Sequence, residues 1–263
     1  MSGNPAFASF VPGKPRRVLV LAHGYPWPDN SRTDSQLLAY ASARVEAWKD
    51  FAHGCGAIVI APVFGGTAFP GYREMAGADP RPDEFVNQLV DRLGRRYLGK
   101  GFDGRFSLHG HSAGGQFAAR YLLTHPGRLR EVILSAPSAY PFPDPHVPWP
   151  NGMARGRDLV TGRAAAAPVR SRWIAAAATV TVIVLVGSLD IDNRPAAAGQ
   201  AGSSRLTRGQ NWVGQMRTLA EAEGQTASVL LAVVDDAGHD EDEMTAPAQA
   251  RLAGDWGTSQ PVS

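Results

Sequence analysis

One cysteine, Cys55, stands in 263 residues, so an intrachain disulfide is excluded. Set between Gly54 and Gly56, just before an apolar strand pattern, it reads as a small buried thiol. An excess of one charge is also missing. Lys and Arg number 26 against 24 Asp and Glu, a net of +2, with no basic block. That leaves no electrostatic footprint for nucleic acid. Long apolar runs are absent too. The longest, residues 174–186, is too short to span a bilayer, and its β-branched second half reads as a buried strand. Residues 1–17 hold no apolar core of signal-peptide length. These absences predict a cytoplasmic protein with no membrane partner. The seven histidines show no paired metal-ligand spacing, so no metal centre is expected.

What is present is an alternation of strand and helix patterns in a chain that is 44% hydrophobic, enough for a sizeable core. Strands are expected at 18–22, 57–61, 106–108, 132–134, 179–186 and 228–234. Helices are expected at 37–48, 82–98, 113–124 and 207–223, with a short one at 246–254. Pro82 suits a first turn, and Phe85, Val86, Leu89, Val90 and Leu93 share one face of the second helix. Such alternation predicts one α/β domain over residues 1–263, doubly wound around a mostly parallel sheet. Residues 138–172 break the pattern. Five prolines, from Pro141 to Pro150, exclude regular structure there, and Tyr140, Phe142 and Trp149 lie among them. The segment is expected to form a cap or lid whose aromatics bind substrate.

Gly110-His111-Ser112-Ala113-Gly114 falls between strand and helix. A Gly-x-Ser-x-Gly there is a nucleophile elbow: a sharp turn that exposes a serine hydroxyl and leaves no room for side chains two residues away. A serine hydroxyl needs a base. His239, in Asp236-Ala237-Gly238-His239 just beyond the last strand, is the best placed histidine. The base in turn needs an acid to fix its tautomer. Asp190 closes Gly187-Ser188-Leu189-Asp190 after the long β-branched strand, and Asp192 is the alternative two residues on. The oxyanion of an acyl-transfer intermediate needs two donors. The N–H groups of Ala113 and of Tyr25, in His23-Gly24-Tyr25 after the first strong strand pattern, are the candidates. Asp235, Asp236 and the run Asp240 to Glu243 surround the base, which predicts that negative charge there favours its protonated form.

On these residues the chain resembles the α/β-hydrolases of the esterase and lipase type. The nucleophile, acid, base order of Ser112, Asp190 and His239 is that of the family. The resemblance implies hydrolysis of a small-molecule carboxylic ester through an acyl-enzyme, with no cofactor. Amidase, thioesterase and acyltransferase chemistry use the same constellation, and a non-catalytic binding protein on this fold is the reading from another class.

Overall fold

A computed structural model describes residues 5–25, 32–77, 80–191 and 199–254. Strand β1 (Phe7–Phe10) is followed by β2 (Arg17–Ala22), helices α1 (Asp34–Ala47) and α2 (Lys49–Cys55), and β3 (Ala57–Pro62). Then come α3 (Pro82–Leu98), β4 (Phe106–His111), α4 (Ala113–Thr124) and β5 (Leu129–Ser135). Two short strands, β6 (Gly156–Arg157) and β7 (Ala164–Ala165), precede α5 (Arg170–Thr179) and β8 (Thr181–Gly187). The described chain closes with α6 (Arg205–Glu221), β9 (Val229–Val234) and α7 (Glu241–Leu252).

Seven strands form one sheet in the order β1-β3-β2-β4-β5-β8-β9. All neighbours are parallel except the edge strand β1, which runs antiparallel to β3. Both faces of the sheet are covered, so its inner strands read as unbroken apolar runs rather than as alternations. In β2, Val18 and Val20 face one core and Leu19 and Leu21 the other; in β8, Val182 and Val184 oppose Ile183 and Leu185 in the same way. Full burial of each such side chain is worth about 1.5–3 kcal/mol. The apolar face of α3 is buried as its periodicity requires.

In the apolar run 174–186 the alanine-rich half ends α5 and the β-branched half is β8, as their opposite propensities dictate. Two expectations need correction. Residues 138–172 are not wholly irregular, because β6 and β7 pair around a turn held by the Asp158 carboxylate, which accepts from the N–H groups of Val160 (2.9 Å) and Thr161 (2.7 Å). Nor do Tyr140, Phe142 and Trp149 stand free as a lid. All three are buried in the main core, where Tyr140 stacks on Trp212 with ring centroids 5.3 Å apart. The Trp212 indole donates to the Pro141 carbonyl at 2.7 Å. Arg120 of α4 ties down the middle of the segment. Fully buried, it donates to the Pro150 carbonyl, the Asn151 side chain and the Arg73 carbonyl, each at 3.0 Å. The segment is therefore sewn along α4 and α6.

Candidate active site

The sheet order places the site. The chain leaves β2 outward to β3 and returns to the other side of β2 as β4, so the topological switch lies between β2 and β4. Ligand crevices open at the carboxyl ends of such strands. Ser112 follows β4 directly, and His23-Gly24-Tyr25 follows β2.

Ser112 has φ 51° and ψ −111°, a left-handed conformation that costs a non-glycine residue about 1–3 kcal/mol. Its surroundings enforce it. The Ser112 N–H donates to the Ser135 carbonyl at 2.8 Å, and its carbonyl accepts from the Gln116 N–H at 3.0 Å. Both flanking glycines are sterically required: a Cβ on Gly110 would lie 2.2 Å from the Gly114 carbonyl oxygen, and one on Gly114 would lie 1.8 Å from that of Ala22.

His239 and Asp190 meet because their loops are stitched together. The Leu189 N–H donates to the Ala237 carbonyl (2.9 Å), and the Asp236 N–H donates to the Ser188 hydroxyl (2.9 Å). A Cβ on Gly187 would come 2.2 Å from the Ala237 oxygen, so glycine permits the approach. The result is a continuous line. The Ser112 hydroxyl donates to His239 Nε2 at 3.0 Å, and His239 Nδ1–H donates to Asp190 Oδ2 at 2.8 Å. The carboxylate can only accept, which fixes the tautomer. Burial alone would raise the Asp190 carboxyl pKa, but the His239 hydrogen bond, the charge of His239 and that of Arg205 outweigh it and hold the group ionised below its usual range. Asp192 lies outside the described residues.

Ala113 opens α4, so its N–H has no carbonyl one turn earlier to meet. Gly24 sits against the elbow, where a Cβ would be 3.5 Å from Ser112 Cβ, and Tyr25 follows it. His23 pins this turn. Its Nδ1–H donates to the Gly24 carbonyl (2.7 Å) and its Nε2 accepts from the Phe64 N–H (3.0 Å), which only the neutral ring can do.

The carboxylates after His239 are engaged elsewhere. Asp240 caps α7, Glu241 accepts from the Tyr40 hydroxyl, Asp242 pairs with Arg44, and Glu243 accepts from the Gly238 N–H. Most of the expected negative field is thus spent on a helix start and on α1. Sequence reasoning also missed two neighbours of the line. Arg205 Nη1 donates to Asp190 Oδ1 at 2.7 Å, and the His111 ring lies 5.2 Å from that of His239. The signal for Arg205 was a cation at the first position of a helix, where the dipole disfavours it. A separate cleft of about 1240 Å³, lined by His125, Trp149 and Arg172 among others, lies at the far end of α4, about 18 Å along the helix, and includes none of the three aligned residues.

Burial pushes the His109 and His111 rings down to about pH 3. The unfolded chain binds protons at these sites below about pH 6.5 while the folded chain does not, so stability falls as pH falls. At pH 5 each site should cost about 2 kcal/mol relative to pH 8. Denaturant unfolding across this range should show a loss of about 4 kcal/mol from the pair. Constant stability between pH 8 and 5 would contradict the neutral burial of these rings.

The sheet, the elbow turn and the ordered line of hydroxyl, imidazole and carboxylate define a hydrolase architecture. The chain belongs to the alpha/beta hydrolase family, whose model matches residues 19–261. No curated protein matches it. Among solved structures, poly(aspartic acid) hydrolase-1 from Sphingomonas sp. KT-1 is similar with a TM-score of 0.73 at 20% identity, over 93% of this chain and 92% of that one. A poly(3-hydroxybutyrate) depolymerase from Bordetella parapertussis gives 0.71 at 21% identity, over 98% and 85%. An S-formylglutathione hydrolase from Agrobacterium tumefaciens gives 0.53 at 15%, over 95% and 88%. At these identities the likeness is one of fold. Among the described residues, no helix is long and apolar enough to cross a membrane.

Proposed function

We propose that the chain is a serine hydrolase that cleaves small-molecule carboxylic esters through an acyl-enzyme, with no cofactor. The observation that carries this reading is the unbroken line from Ser112 Oγ through His239 to Asp190. Ser112 attacks the ester carbonyl while His239 Nε2 takes its proton. The oxyanion is held by the N–H groups of Ala113 and Tyr25, at the positive end of α4. As the C–O bond breaks, His239 gives the proton to the departing alkoxide. Water then loses a proton to His239 and attacks the acyl carbonyl, releasing the acid and returning the proton to Ser112. Asp190 keeps Nδ1 protonated throughout and stabilises the imidazolium.

A fluorophosphonate probe tests the assignment, because it bonds to an activated serine and not to an idle one. One equivalent is expected to attach, at Ser112 by peptide mass, with loss of p-nitrophenyl ester hydrolysis. A folded protein that resists the probe would instead be a binding protein on a hydrolase fold.

A further inference from the structure

We infer that Arg205 is a positioning residue for the hydrolytic line, taking one oxygen of the Asp190 carboxylate so that the other is aimed at His239. The inference rests on the roles given above to Ser112, His239 and Asp190.

The ion pair is enclosed: the Arg205 side chain is 6% exposed and that of Asp190 is 1% exposed. A carboxylate sealed from water needs its lone pairs filled by protein donors. Here His239 Nδ1–H fills Oδ2 and Arg205 Nη1 fills Oδ1. The two contacts act from opposite oxygens, so they set the rotation of the carboxyl plane, and with it the line along which the imidazole is held. Arg205 is itself held in place. It is the first residue of α6, whose start is fixed by Ser204 and Thr207 in a reciprocal cap. A cation at that place works against the helix dipole, so helix formation does not account for it. Pairing with Asp190 does.

A second effect follows from charge. With Asp190 unpaired, the imidazolium of His239 would face a full negative charge. With Arg205 bound, it faces a neutralised pair, and its formation is favoured less. The other groups around His239 do not take over this part. His111, on β4, is held neutral by burial. From α7 and the turns beside it, Asp240, Glu241, Asp242 and Glu243 are bound to a backbone N–H, Tyr40, Arg44 and Gly238. Arg44, on α1, is turned to Asp242, and Asp235 and Asp236, in the turn that opens the His239 loop, are exposed to solvent. Arg208, one turn along α6, donates to the Gly202 carbonyl.

The test is the pH profile of kcat/KM for a neutral p-nitrophenyl ester, measured on Arg205→Gln and Arg205→Lys. In Arg205→Gln the acidic limb should move up by about one unit, and kcat at the plateau should fall on the order of tenfold. In Arg205→Lys, which keeps the charge but loses the fork, the limb should return to the wild-type position while kcat recovers only in part. The shift should persist in 1 M salt, since the pair is enclosed. If Arg205→Gln lowers the profile equally at all pH values without moving the limb, the ion pair merely braces the fold and the inference falls. It falls equally if the Lys variant shows the same displaced limb as Gln. Thermal unfolding establishes that each variant is folded. If Arg205→Gln is not, Arg205→Met, of similar reach and no charge, carries the same expectation. Probe labelling of wild type and Ser112→Ala runs alongside. Labelling that ignores Ser112 would overturn the underlying roles, whereas Ser112-dependent labelling with an unmoved limb overturns only the part given to Arg205.

Discussion

Ser112→Ala should lose turnover on the order of 10⁶-fold in kcat while folding and binding substrate normally. Only the hydroxyl is removed. The Cβ stays, as do the backbone bonds to Ser135 and Gln116 that hold the turn. On the roles proposed above, removal of the nucleophile would leave the oxyanion donors, so a residual rate above that of water is expected. The strained φ of 51° also stays, so stability should change little. Ser112→Gly should instead gain about 1 kcal/mol, because glycine adopts that conformation without penalty. Purified variants assayed on a p-nitrophenyl ester, with denaturant unfolding in parallel, give both results. A Ser112→Ala protein that kept a tenth of its activity would remove the serine from the chemistry.

Asp190→Asn should cost on the order of 10⁴ in kcat, with the effect concentrated in the chemical step. An amide at this place can present its NH₂ group to Nδ1 and thereby favour the wrong tautomer, in which Nε2 carries the proton and cannot accept one from Ser112. The same change removes the Asp190 charge from its ion pair with the buried guanidinium of Arg205. Loss of one partner of a buried pair typically costs about 3–5 kcal/mol, so a lower melting temperature should accompany the lost activity. Asp192→Asn is the control and should cost less than about tenfold on the same scale. The reverse ranking would transfer the acid's part to Asp192. Single-turnover measurements separate the two consequences, because a protein that is destabilised yet folded at the assay temperature still shows the slowed acylation.

The elbow could be read from the sequence because its geometry leaves almost no choice of residue. Gly110 and Gly114 are written into the chain by collisions at 2.2 and 1.8 Å. The doubly covered sheet was legible for a similar reason, since strands buried on both faces must be apolar throughout. His239 and Asp190 could be placed because each follows a strand and parallel strands end on one side. Other features depend on partners far away in the chain. Tyr140, Phe142 and Trp149 look the same in sequence whether they face a ligand or the core, and the deciding neighbour of Tyr140 is Trp212 on α6. β1 is four residues long and half-buried, too short to show a period. The acids after His239 looked like a field around the base, but Tyr40 and Arg44 on α1 claim two of them.

The stitching of residues 138–172 to α4 and α6 bears on how substrate arrives. A hydrolase with a hinged cover spends part of its time shut, and contact with a droplet or micelle opens it. Here the aromatic anchors are already buried, and Arg120 grips the segment through the Pro150 carbonyl and the Asn151 side-chain amide. Among the described residues of this segment no such hinge is built in. If the chain is the ester hydrolase proposed above, its rate should therefore follow dissolved monomeric ester and show no jump where the substrate begins to form micelles.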